Sequence, residues 1–183
     1  MKQTLMAIAS SAISTPLHLE RLQRIDSEDF TKVTEKVRSD AAKLGIHLSN
    51  QFLNNGVLAL KQYYAVAMLD PANGHALSEV LDPFWHAHML FSQDYTDFCV
   101  DVVGEYMHHV PLSQNDRAQV ERVRFLYDYT ILILPTLFTK VSDEFWPAVV
   151  TDAHLICYHK GNQGIYTHLQ SARMFEPDVR LST

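Results

Sequence analysis

The amino-acid sequence predicts a mainly α fold: a single-domain, compact helical bundle of about five to seven helices with an unassigned C-terminal tail. Three observations predict it. Apolar residues recur at helical spacing in separate long stretches. Capping and terminating residues bound those stretches. A chain of 183 residues with 47% hydrophobic and 20% charged side chains has the size and composition of one globular domain with a closed core.

Residues 1–25 read as an N-terminal tail or short helix, and residues 26–183 as a single helical domain. Asp26 and Ser27 are good caps for a first helix, with Glu28 and Asp29 in its acidic first turn. Phe30, Val33, Val37, Ala41 and Leu44 form its apolar stripe, and Gly45 closes it. A second helix opens at Ser49 and runs to about Leu69 on Phe52, Leu53, Leu60, Tyr64 and Met68, weakened in the middle by Gly56. Asp70 to Gly74 forms a turn, and His75 beyond it reads as a solvated loop histidine. Asp82-Pro83 reads as an N-cap and first helical residue, opening a short helix from Phe84 to Phe91. Ser92 caps the next helix, which carries Tyr95, Phe98, Cys99, Val102 and Val103 and stops at Gly104. Glu105 to Asn115 reads as a loop.

From Asp116, the stripe Val120, Val123, Leu126, Tyr127, Thr130, Ile133, Leu134 and Leu137 predicts a long helix that Pro135 should kink or end. Val141 to Pro147 reads as a short connection holding Trp146. After Ala148 the residues Val149, Val150, Leu155, Ile156 and Tyr158 fit helix and strand equally, and Gly161 to Gly164 reads as a turn.

A formal charge of −6 argues against a general nucleic-acid binder, which needs a basic face. The most apolar run, Tyr129 to Phe138, is half the ~20 residues that a membrane helix requires. The first residues faintly resemble a secretory signal but lack a strong Leu or Val core. Two cysteines, Cys99 and Cys157, make no disulfide framework, so a reducing cytoplasmic setting is expected. The sequence names no protein partner and no small-molecule ligand.

The chemistry concentrates between Leu81 and Pro111. This stretch holds His86, His88, His108 and His109, four of the ten histidines, with Asp82 and Cys99. Such groups are costly to bury without partners, and imidazole, carboxylate and thiolate are the usual ligands of zinc and other first-row metals. The expected metal ligands are Asp82, His86, His88 and His109, and the expected cofactor is a divalent metal, zinc or iron. Asp82 and His86, four apart, share a helix face. His86 and His88 are about 200° apart on an ideal helix, so they act together only if the backbone there is extended. The sequence leaves both geometries open. His108 would face away or support a ligand, and Cys99 on an apolar face suits packing better than ligation. An open metal position would allow hydrolytic or redox chemistry through activated water, though no residue selects a reaction. The rival reading is a non-enzymatic structural or interaction module with histidines in a buried hydrogen-bond network. Near the C-terminus, Cys157 and His159 form a weaker nucleophile–base candidate, with His154 and His168 nearby.

The pattern Asp82-x-x-Trp85-His86-x-His88, Tyr95, Phe98-Cys99, Gly104 and His108-His109-x-Pro111 resembles the glycine-rich domain-containing protein-like family. That family occurs at the N-terminus of plant glycine-rich proteins and as small stand-alone bacterial proteins. The resemblance extends upstream to Tyr63-Tyr64 and downstream to Tyr129-Thr130 and Phe145-Trp146-Pro147, about residues 50–148. The chain departs from the plant members in ending soon after the domain without a glycine-rich tail. The resemblance implies one recognisable domain and favours His86, His88, Cys99 and His109 over His108 and the C-terminal histidines; it implies no activity.

Overall fold

The computed structural model describes residues 3–159. The fold is mainly α, with seven α-helices and a small three-stranded sheet among these residues. Helices α1 (Leu5–Ile8) and α2 (Pro16–Ser27) precede α3 (Thr31–Lys43) and α4 (Asn50–Leu69). Strand β1 (His75–Ser78) leads into α5 (Asp82–Leu90) and α6 (Ser92–Phe98), followed by a π-helical turn at Cys99–Val103. Strand β2 (Val110–Pro111), α7 (Arg117–Leu137), a 3-10 turn and β3 (Leu155–His159) complete the order.

Helix α4 is the centre. Ser49 caps it by accepting a hydrogen bond from the Phe52 N–H, and every residue from Ala59 to Leu69 is buried. A helix apolar around its whole circumference must be enclosed by the others. Gly56 is required here because a Cβ at this position would lie 2.2 Å from the ring of buried Phe84, which itself packs against Phe52 and Phe145. Gly56→Ala should therefore destabilise the protein by about 1–2 kcal/mol, an overpacking cost that outweighs the gain in helix propensity. Urea unfolding measures it, and a variant as stable as the parent would show that the Phe84 ring yields freely.

Several local expectations change. Asp26 does not open α3; its carboxylate accepts the N–H groups of Leu5 and Met6 at the start of α1. The cap position of α3 is Phe30, and Asp29 just before it accepts from the Thr31 N–H and hydroxyl. Ser92 is the first residue of α6 and its side chain makes no cap. Helix α7 continues two residues past Pro135 to Leu137, because a proline so near the helix end interrupts only its final turn. Gly45 and Gly104, with φ of 75° and 107°, end α3 and the π turn in the left-handed conformation that favours glycine. In the described part of the segment after Ala148, Asp152–His154 form a 3-10 turn and Leu155–His159 form β3. The turn at Gly161 to Gly164 and His168 lie outside the described residues.

The sheet has the order β1-β3-β2, antiparallel throughout, with His75 opposite His159 and Pro111 opposite Cys157. This register brings the 105–111 segment and β3 against α5.

Candidate metal centre

Asp82 is the first residue of α5, preceded by the cap position Leu81. Its carboxylate makes no cap and turns instead toward β2 and β3. His86, one helical turn on, follows it on the same face, with Nε2 3.7 Å from Asp82 Oδ2. Loop closure supplies the third group. Trp85 Nε1–H donates to the Tyr95 hydroxyl at 3.0 Å, and Tyr95 donates to the Met107 carbonyl at 2.6 Å. This fixes the loop, and the Trp85 and His109 rings pack with centroids 4.9 Å apart. His109 Nε2 then lies 3.2 Å from Asp82 Oδ1 and 2.8 Å from His86 Nε2. Strand β3 delivers the fourth group, Cys157, whose thiol donates to Asp82 Oδ1 at 3.0 Å.

Asp82, His109 and Cys157 each turn one ligand-type atom to a common point, all within 4.8 Å of one another. His86 lies on their solvent side, its side chain 53% exposed. Burial alone would raise the Asp82 carboxyl, but hydrogen bonds from His109 and Cys157 and the charge of both histidines hold it below the usual range. Burial, then the adjacent Asp82, pushes the Cys157 thiol well up, so it is no activated nucleophile in this form. It is not paired with His159 either, whose Nδ1–H reaches the Tyr63 hydroxyl at 2.9 Å.

The α5 backbone is helical, so His86 and His88 diverge as the helix period requires. His88 is the expected ligand that stands apart. Its Nδ1 bonds the Tyr64 hydroxyl at 2.7 Å, and its ring packs against Phe30, Tyr95 and Phe98. Burial lowers its pKa to about 4, which keeps it neutral. Cys99 is a buried free thiol whose pKa burial raises. His108 is exposed against Tyr106, and His154 is exposed, bonding Thr151 at the 3-10 turn.

Two features had no local signal in sequence. Cys157 is 75 residues from Asp82, and the pairing of β3 with β1 and β2 joins them. His75, expected to be solvated, is fully buried on β1, its ring stacked on Tyr129. Its Nε2 is 3.3 Å from Asp70 Oδ2, close enough for an ion pair though off the line of a hydrogen bond. Asp70 also accepts from the Tyr129 hydroxyl (2.6 Å) and Asn73 (2.9 Å). Burial would raise its carboxyl, but His75, Tyr129 and Asn73 hold it below the usual range. Tyr63 links this network to the sheet by donating to the His75 carbonyl and accepting from His159.

A family model described as UCP032817-like matches residues 20–130, well over half of the chain. The chain belongs to the UCP032817-like family. The matched span contains Asp82, His86 and His109, and Cys157 lies beyond it. The UCP032817-like name assigns no chemistry. No curated protein and no solved structure matches the chain.

Proposed function

We propose that this UCP032817-like protein is a metal-binding domain. Asp82, His109 and Cys157 hold a zinc or ferrous ion from the inside, and His86 holds it from the solvent side. The observation that carries the reading is the approach of His86 Nε2 to His109 Nε2, 2.8 Å apart beside the Asp82 carboxylate. A cation among the four groups would engage the nitrogen of each ring together with the carboxylate and the sulfur, and the close approach of the two rings suits that. A thiolate, two neutral imidazoles and a carboxylate are donors that zinc accepts in tetrahedral sites, and Cys157 would give up its thiol proton to solvent as the metal binds. The buried indole of Trp85 and the Tyr95–Met107 bond orient His109, the kind of support that ligating histidines receive from neighbouring groups.

Both cysteines are free and buried, which suits a reducing, cytoplasmic setting. No helix among the described residues is long and apolar enough to cross a membrane. We also read about residues 50–148 as the core shared with the glycine-rich domain-containing protein-like family, on the motif residues alone.

Metal analysis of protein purified without a histidine tag tests the site. About one equivalent of zinc or iron is expected, lost in a His86→Ala/His109→Ala double variant and reduced at least tenfold in affinity by Cys157→Ser. Folded protein that is metal-free and takes up neither added zinc nor added iron would overturn the proposal. It would leave the cluster as the hydrogen-bond network of a structural module.

A further inference from the structure

The corner of the fold that the four candidate ligands share is thinly held by backbone pairing. Strand β2 is two residues long, below the usual strand length of about 3–10 residues. Its ladder with β3 sets Val110 opposite Tyr158 and Pro111 opposite Cys157. One further bond, from the Leu112 N–H to the Ile156 carbonyl at 2.7 Å, extends it. On the other side of β3 the register with β1 shifts between Ala76 and Ser78. Between β3 and α5 the tie at this corner is the Cys157 thiol on Asp82, and a thiol is a weak hydrogen-bond donor.

The ligand groups stand across these weak joints. His109 directly precedes β2, Cys157 lies within β3, and Asp82 and His86 lie one turn apart on α5. His109 is 27 residues from Asp82 and Cys157 is 75. One ion would therefore crosslink segments far apart in the chain, restricting its open forms much as a disulfide does. Four protein ligands fill a tetrahedral site and leave no position for a substrate, which is the pattern of structural rather than catalytic zinc. One thiolate, one carboxylate and two neutral imidazoles also balance a divalent charge, so the occupied corner is neutral and stays buried at little cost.

We infer that the metal is structural and works as a clasp: it locks β2 and β3 onto α5, and its removal lets the β2–β3 pairing open while the helical body stays folded. This inference rests on the metal reading above. An ion that needs both His109 and Cys157 binds the closed arrangement and not the open one, and such differential affinity is what shifts an equilibrium between two arrangements. His86 is half-exposed, so the ion enters and leaves past it from the solvent side, and the clasp is reversible.

Tag-free protein is prepared zinc-loaded and chelator-stripped, its metal content is measured, and amide hydrogen exchange is followed in both forms. With free zinc about a hundred times above its Kd, linkage allows up to about a hundredfold slowing, and the Leu112 amide and those of β3 should slow about tenfold or more. The amides of α4 should stay protected in the stripped form, because the helical body does not need the ion. Cys157→Ser, saturated with zinc through the other three ligands, should exchange the Leu112 amide at the same rate with and without the metal. Zinc-loaded parent protein whose Leu112 and β3 amides exchange as fast as in the stripped form overturns the clasp and leaves the metal site standing. Stripped protein that unfolds as a whole also overturns it, since the ion would then hold the entire fold. Protein that takes up no zinc overturns the metal reading and this inference with it.

Discussion

Trp85→Ala is expected to lower the unfolding free energy by about 3–5 kcal/mol, the usual cost of deleting a large buried aromatic side chain. Trp85 is fully buried and packs edge-on against Tyr63 at a centroid separation of 5.1 Å. The same truncation removes the donor to the Tyr95 hydroxyl and the ring behind His109. Stability and the position of His109 therefore fail together. Trp85→Phe separates the two effects: it keeps most of the ring volume but deletes the N–H, and should cost about 1–2 kcal/mol. Urea unfolding of both variants gives the free energies, and the imidazole NMR resonances of His86 and His109 report the site. Loss of stability in Trp85→Ala with those resonances unmoved would show that the loop is held without the indole.

The second large effect is expected at Asp70. Asp70→Ala should cost about 3–5 kcal/mol, because it removes the carboxylate beside the buried His75 ring and strands the buried Tyr129 and Asn73 donors. Asp70→Asn keeps the shape and loses the charge. The carboxyl is depressed below 3.8 in the fold, so its contribution is fully present above its unfolded value and is lost as pH falls through the folded one. The parent should thus lose stability below about pH 4, and Asp70→Asn should lose less of its own over that window. Parallel acid curves for the two proteins would show that Asp70 carries no charge in the fold.

Where local pattern decides structure, the sequence was readable. Ser49 caps α4, which ends at Leu69, and Asp116 caps α7, because apolar period and cap act within a few residues of one another. The divergence of His86 and His88 follows from the helix period once α5 is helical. What escaped was decided at long range. Asp82 reads in sequence as a capping residue, yet it is the first residue of α5 and its carboxylate serves His109 and Cys157, 27 and 75 residues away. His75 sits beside a turn, which suggests solvent, but pairing with β3 buries it. No spacing rule reaches across such separations; only sheet register does.

The strand order also has a consequence for how the molecule is made. The last strand among the described residues, β3, lies between the two earlier ones, and β1 and β2 pair with it rather than with each other. During synthesis both earlier strands wait with open edges until residues 155–159 emerge, and open edges invite pairing with other chains. The helices can gather beforehand on local contacts, but the sheet closes in one late step, after loops of dozens of residues have been drawn together. Shortening the chain before Leu155 would therefore remove the whole sheet, leaving a helical remnant with two exposed strand segments.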